Sequence, residues 1–139
     1  MKDEYVKILY KLAKKAYKKN EVPVSAILVY DNKIIAKSYN QKNLKNNSMY
    51  HAEILCLNKA YKKFRNWNLN GCIMYVTLEP CSLCKLAIEE SRIDKVYYLL
   101  DKSSYNNRYK KTKYEQTYGD FREQFIDLMK DFFKNIRKK

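Results

Sequence analysis

The stretch CIMYVTLEPCSLCKLAIEESRIDKVYYLL, residues 72–100, decides the fold of this chain. It begins with an almost unbroken apolar run, Cys72 to Leu78, which is typical of a central buried strand. Pro80 stops that run, and a helix is predicted from Cys81 to about Arg92. Lys95 to Leu100 is predicted to be a second buried strand. A strand–helix–strand order with short connections favours two parallel strands joined by a right-handed crossover.

The residues before this stretch predict a helix followed by a β-hairpin. Asp3 is expected to cap a helix whose apolar residues recur at helical spacing up to Ala16. The opposite face of that helix carries lysines, at positions 7, 11, 14, 15 and 18. Val24 to Tyr30 and Lys33 to Tyr39 are rich in β-branched and apolar residues, and the turn pair Asp31-Asn32 separates them.

Two further helices complete the predicted architecture. One runs from His51 through about Lys63, and the other begins near Asp120. The second helix carries one apolar stripe, predicted to pack against the sheet and formed by Phe121, Phe125, Leu128, Phe132 and Ile136. The elements together predict a single α/β domain over residues 1–139, a three-layer α/β/α sandwich around a mixed central sheet.

The composition indicates an intracellular, polyanion-binding class of protein. The net charge of +14 and the pI of about 9.5 favour nucleic acid as a partner, although codon bias in an AT-rich genome is an alternative source of lysine. No apolar run approaches the ~20 residues of a membrane span, and no signal peptide is predicted. Four cysteines, two of them in a Cys-x-x-Cys pair, fit reduced thiols and metal better than disulfides. A cytoplasmic location is therefore expected.

One histidine and two cysteines form a candidate metal site. His51, Cys81 and Cys84 are ligands that zinc prefers, and the two cysteines lie three residues apart in a first helical turn. His51 lies at the start of one predicted helix, and the cysteine pair lies at the start of another. We expect these two helix starts to face each other at the ends of adjacent strands. The remaining cysteines, Cys56 and Cys72, are predicted to be core residues. One zinc ion per chain with an open position for water is therefore expected.

Glu53 is the candidate proton carrier of this site. It lies two residues from His51, where it can take a proton from an activated water and deliver it to a reacting base. Two alternatives for these residues are a redox Cys-x-x-Cys pair and an ordinary surface glutamate in a first turn. Neither alternative explains why the histidine, the glutamate and the cysteine pair occur together.

These motifs resemble the bacterial tRNA adenosine deaminases, within the cytidine deaminase-like zinc deaminases. The resemblance covers nearly the whole chain and is carried by Glu21-Val22-Pro23-Val24-Ser25-Ala26, Asn40, His51-Ala52-Glu53-Ile54, Tyr75-Val76-Thr77-Leu78-Glu79-Pro80-Cys81, Ser91-Arg92-Ile93 and Asp131-Phe132-Phe133-Lys134. Three features depart from the family pattern: Asn47-Ser48-Met49-Tyr50 replaces Asp-Pro-Thr-Ala, Ser25 replaces a glycine, and the segment from Lys102 to Tyr109 is shortened.

The resemblance implies a function, a substrate and an assembly. It implies a cytidine deaminase-like fold and hydrolytic deamination of adenosine to inosine at the wobble position of a tRNA anticodon loop. Asn40 falls at the family's base-binding asparagine. It also implies a homodimer that builds each site across the dimer. No membrane partner is expected, because no apolar run is long enough to span a membrane. Basic and tyrosine-rich residues from Asp101 to Lys113, including Lys110, Lys111 and Lys113, and the final helix are candidates for RNA contact.

Two other functions share the same motifs. A small-molecule deaminase acting on cytosine, deoxycytidylate or guanine would use every metal ligand in the same way. A non-enzymatic, zinc-stabilised RNA-binding subunit would keep the ligands without catalysis, but it would have no use for Glu53.

Overall fold

Four helices and four strands form along the part of the chain that the computed structural model describes, residues 1–101, 112–117 and 119–137. The elements are α1 (Asp3–Lys18), β1 (Ser25–Tyr30), β2 (Lys33–Tyr39), α2 (Ala52–Phe64), β3 (Cys72–Leu78), α3 (Ser82–Glu90), β4 (Lys95–Leu100) and α4 (Arg122–Arg137). Contacts divide the chain into two compact units, Met1–Asn106 and Asn107–Lys139. The single domain over residues 1–139 stays a prediction.

The first unit contains a mixed sheet with the strand order β2-β1-β3-β4. β1 pairs antiparallel with both β2 and β3, whereas β3 pairs parallel with β4. The hairpin turn uses Asp31 and Asn32 with φ of 52° and 61°, the left-handed conformation that two-residue hairpin turns require. The predicted hairpin and the predicted parallel pair are both confirmed.

Helices cover both faces of the sheet, and β1 is therefore buried on both sides. Ile27 and Val29 of β1 pack with Tyr5 and Leu9 of α1. The alternate residues of β1 join a second cluster on the opposite face, which comprises Ala26, Leu28, Ala36, Ala52, Cys56, Leu57, Ala60, Leu69, Cys72, Met74, Val76 and Ile88. This second cluster contains side chains of α2 and α3, so the predicted three-layer α/β/α sandwich is confirmed.

Two expectations about individual elements are wrong. Asp3 does not cap α1, since Lys2 occupies the capping position and Asp3 lies in the first turn, where its carboxylate faces the positive end of the helix dipole. β4 is not buried: Tyr98 is 49% exposed and Leu100 is 62% exposed. In the described sheet β4 is the last strand and pairs only with β3, a position that an apolar run alone does not reveal.

The C-terminal helix forms where the spacing of its apolar residues predicts it. α4 extends over Arg122–Arg137, and the packing of its apolar stripe against the sheet stays a prediction. Lys110 and Lys111 of the predicted RNA-contacting cluster lie outside the described residues. Among the described helices, none combines the length and apolar character needed to cross a membrane.

Candidate metal and substrate site

The candidate site lies at one edge of the sheet, where three strands expose their ends. Pairing of Ser25 with Tyr39 and of Ala26 with Val76 brings the start of β1 to the edge at which β2 and β3 end. His51 precedes α2 and Cys81 precedes α3, each as an extended residue at the helix N-terminus. The sequence-based expectation that the strands leading to these helices are adjacent is wrong, because β1 lies between β2 and β3.

His51, Cys81 and Cys84 converge at this edge, with all three donor atoms within 4.8 Å of one another. The Nδ1 atom of His51 lies 3.6 Å from the Cys81 Sγ and 3.5 Å from the Cys84 Sγ. Zinc bonds of about 2.0–2.1 Å to nitrogen and 2.3 Å to sulfur at tetrahedral angles imply a nitrogen–sulfur separation of about 3.6 Å. The donor set and its spacing therefore fit a tetrahedral zinc ion that leaves its fourth position open.

The thiols carry opposite pKa shifts. A hydrogen bond from Cys84 is the main cause that lowers the pKa of Cys81 to about 3, and the same contact raises the pKa of Cys84. The hydrogen bond to Cys81 also raises the pKa of His51. The Cys81 thiolate is thus favoured even before a cation binds, as expected for a metal-ligating sulfur at a helix N-terminus.

Glu53 is buried beside this cluster in the first turn of α2. Its side chain is only 4% exposed, and its Oε1 atom has no hydrogen-bond partner among the described residues. Burial raises the pKa of the Glu53 carboxyl group. Because buried polar atoms are normally hydrogen-bonded, Oε1 is suited to accept a hydrogen bond from a water or a substrate group.

An open pocket of about 200 Å³ leads to these residues. Its lining comprises Val22, Val24, Asn40, Lys42, His51, Ala52, Glu53, Leu78, Glu79 and Cys81. Asn40 is 8% exposed, and its backbone N–H donates to the Val24 carbonyl over 3.0 Å. The pocket therefore joins the three chemical groups predicted from the sequence: the metal-ligating cluster, the carboxylate and the amide.

Glu21 stabilises the loop that forms part of this pocket. Its buried carboxylate accepts the backbone N–H of Asn43 at 2.6 Å and 3.0 Å, and so holds the loop that carries Asn40 and Lys42. The sequence pointed to Glu21 only through a family motif. Its partner is a backbone group 22 residues away, which no side-chain pattern reveals.

The other two cysteines are core residues, as predicted. Cys56 is 0% exposed and Cys72 is 1% exposed, and both belong to the cluster between the sheet and α2. Neither is part of the metal-ligating group among the described residues.

Comparison with known proteins identifies the family of this chain. The family model described as MafB19-like deaminase matches residues 1–137. The tRNA-specific adenosine deaminase of Rickettsia bellii is 43% identical over 91% of this chain and 96% of its own length. The tRNA-specific adenosine deaminase of Bacillus subtilis is 35% identical over 97% of this chain and 90% of its own length.

Solved structures show the same fold. One structure, from work on A-to-I editing by tRNA:A34 deaminases at the wobble position of transfer RNA, has a TM-score of 0.70 and 35% identity over 72% of each chain. A guanine deaminase of Bacillus subtilis has a TM-score of 0.80 and 23% identity over 94% of this chain and 95% of its own. The second likeness concerns the fold alone, and together the two confirm the predicted cytidine deaminase-like α/β class.

Proposed function

Because this chain belongs to the tRNA-specific adenosine deaminases of the MafB19-like deaminase family, we propose that it deaminates adenosine to inosine at the wobble position of a tRNA anticodon. Membership of this family makes the chain a hydrolytic enzyme, so the alternative of a non-enzymatic RNA-binding subunit is not retained. The observation that carries the proposal is a pocket lined by His51, Cys81 and Glu53: the first two converge with Cys84 on a candidate metal site, and the Oε1 of Glu53 accepts no hydrogen bond from the described residues.

His51, Cys81 and Cys84 would hold the metal, one zinc ion per chain. Two features support this assignment: the nitrogen–sulfur distances of 3.5 Å and 3.6 Å, and the thiolate favoured at Cys81. When bound, zinc lowers the pKa of a coordinated water toward about 7 and so makes it a nucleophile at neutral pH.

Glu53 moves the protons of the reaction. Its carboxylate accepts a proton from the attacking water, delivers it to a ring nitrogen of the adenine, and carries the next proton to the departing amine. The water oxygen forms a bond to C6, the bond from C6 to the exocyclic nitrogen breaks, and ammonia leaves. The raised pKa of Glu53 suits a group that must both accept and release a proton.

Asn40 and the pocket walls bind and orient the base. The Asn40 side chain lines the pocket and hydrogen-bonds the purine, while Val24 and Leu78 give apolar surfaces for its ring. The target base must leave its stack to enter, which costs less in an anticodon loop than in a duplex. The partner is thus a tRNA loop. A homodimer and a cytoplasmic location form part of the same proposal.

The test is a substrate comparison with purified, zinc-loaded protein. Anticodon stem-loops carrying adenosine at the wobble position are incubated beside free adenosine, cytidine, cytosine, deoxycytidylate and guanine, and the products are identified by mass spectrometry. Inosine at the wobble position, with slow or no conversion of the free compounds, supports the proposal. Release of ammonia from a free base or nucleotide, with none from the stem-loops, would contradict the proposal and identify a small-molecule deaminase instead.

A further inference from the structure

A lysine-rich groove lies between α1 and β2, away from the metal-ligating cluster. Its volume is about 490 Å³, and its lining comprises Ile8, Lys11, Leu12, Lys14, Lys15, Lys18 and Lys37. Five of these seven side chains are lysines and none is acidic. The groove therefore concentrates positive charge within a concave surface, where the field of like charges is strongest.

The lysines form one row because of helix geometry. Lys11, Lys14, Lys15 and Lys18 are spaced by three or four residues, which places them on one face of α1. Lys37 of β2 faces them from the sheet. All five are exposed, and none forms an ion pair in the described part of the chain. The charge of this row is therefore available to an external anion.

Two exposed tyrosines accompany the lysine row. Tyr10 is 65% exposed and Tyr17 is 70% exposed, four residues before and three residues after Lys14. That spacing makes both rings surface neighbours of Lys14. Aromatic rings beside ammonium groups offer stacking surfaces for unpaired bases together with contacts for phosphates. This combination favours single-stranded or looped RNA over an acidic protein.

β2 links the groove to the edge at which the pocket opens, because it carries Lys37 and ends one residue before Asn40. Lys37 precedes Asn40 by three residues, about 10 Å at the rise of a strand. Between them, the Tyr39 hydroxyl accepts a hydrogen bond from the Lys19 Nζ at 2.8 Å. Lys42 then lines the pocket itself. Lysines therefore occur at the groove, at the end of β2 and in the lining of the pocket.

We propose that the groove between α1 and β2 binds the sugar-phosphate backbone of the substrate RNA next to the nucleotide held in the pocket. This inference rests on the proposed function for the identity of the RNA. Contacts to phosphates position an RNA without reading its sequence, so the groove contributes affinity and not the choice of base.

The test compares two triple variants that remove the same charge. K14Q/K15Q/K18Q removes three of the four lysines on the groove face of α1, and glutamine preserves helix propensity. K33Q/K62Q/K63Q removes three exposed lysines that do not line the groove. Zinc content and thermal unfolding establish that both variants are folded. Binding of a fluorescent anticodon stem-loop is then measured over a series of salt concentrations.

The groove variant is expected to bind the stem-loop at least tenfold more weakly at low salt. Its slope of log affinity against log salt should decrease by about 2, since each lost phosphate contact contributes about 0.7–0.9. The control variant should retain the affinity and slope of the unsubstituted protein. If both variants lose the same affinity for the stem-loop, net charge explains the effect and the inference is wrong. If the groove variant loses no affinity, the inference is also wrong.

Two further readouts distinguish RNA from a membrane surface in the groove, and groove binding from catalysis. If the groove variant loses binding to vesicles of phosphatidylserine but not to the stem-loop, the occupant is a membrane surface and the inference is wrong. If the unsubstituted protein binds the stem-loop but forms no inosine, the proposed function fails, while the binding comparison still decides whether the groove holds RNA.

Discussion

At the scale of single residues, the site depends on two carboxylates that are buried although they are polar. Glu53 is 4% exposed, and its Oε1 accepts no hydrogen bond from the described residues. Glu21 is equally buried, but its carboxylate is satisfied by a backbone N–H. The first carboxylate is therefore available for chemistry, whereas the second holds a loop in place.

Glu53→Gln should separate catalysis from stability. We expect inosine formation to fall by at least a hundredfold, because the amide cannot accept and return the protons. Zinc content should stay complete, and the free energy of unfolding should stay equal or rise by about 1 kcal/mol, since a neutral amide is cheaper to bury. Product mass, elemental analysis and urea denaturation measure these effects. Glu90→Gln, at the exposed end of α3, is the matched control. Activity within threefold of the unsubstituted enzyme would remove Glu53 from the mechanism.

His51→Ala should remove the metal rather than only the activity. Two sulfur ligands remain, and loss of one of three protein ligands weakens zinc binding strongly. Elemental analysis of the purified variant is expected to find well under one zinc per chain. Cys56→Ala, which alters a buried thiol of the core, should keep its zinc and so serves as the control. A full complement of zinc in His51→Ala would contradict the ligand assignment.

Glu21→Gln should loosen the loop that carries Asn40 and Lys42 without weakening metal binding. One amide oxygen cannot reproduce the two contacts of 2.6 Å and 3.0 Å to the Asn43 N–H. We expect KM for the stem-loop to rise about tenfold, with zinc content unchanged. Asn43→Ala keeps the backbone N–H and should behave as the unsubstituted protein. An unchanged KM in Glu21→Gln would show that the loop does not need this carboxylate.

At the scale of elements, the fold depends on β1, the strand buried on both faces. Leu28 is 0% exposed within the cluster between the sheet and α2. Leu28→Ala is expected to lower the free energy of unfolding by about 2–5 kcal/mol. Urea denaturation measures the change. Tyr10→Ala, on the exposed face of α1, should change it by less than about 0.5 kcal/mol. Equal effects from both substitutions would contradict the assigned core.

Sequence patterns predicted most of the elements but not all of their surroundings. β2, β3 and β4 begin and end where the apolar runs predict, and Asp31-Asn32 forms the expected turn. The predicted burial of β4 is wrong, because its position as the last strand of the described sheet depends on how strands pair and not on composition. The prediction that β2 and β3 are neighbours is wrong for the same reason. β1 pairs with both strands, and the periodicity of a single segment does not show this pairing.

The candidate site was easier to predict than the sheet order. His51, Cys81 and Cys84 were identifiable because zinc restricts its ligands to few residue types at characteristic spacings. Glu53 followed from its position beside the only histidine of the chain. The role of Glu21 and the groove between α1 and β2 required the structure, since each depends on contacts between distant segments.

At the scale of the whole molecule, metal and charge should dominate behaviour in solution. Zinc that binds only the folded state adds to its stability by mass action. Removal by 1,10-phenanthroline is therefore expected to lower the melting temperature, and addition of zinc should restore it. Calorimetry with and without the chelator measures the shift. A melting temperature that is independent of zinc would contradict a bound ion in the folded protein.

The net charge of +14 and the pocket serve the same substrate in this interpretation, since the charge holds an RNA whose base enters the pocket. The most direct measurement is mass spectrometry of an anticodon stem-loop treated with the enzyme in heavy-oxygen water. We predict inosine at the wobble position with the heavy oxygen on C6, because the oxygen comes from the attacking water. Adenosine left unchanged at that position, or inosine without the label, would contradict hydrolytic deamination at this site.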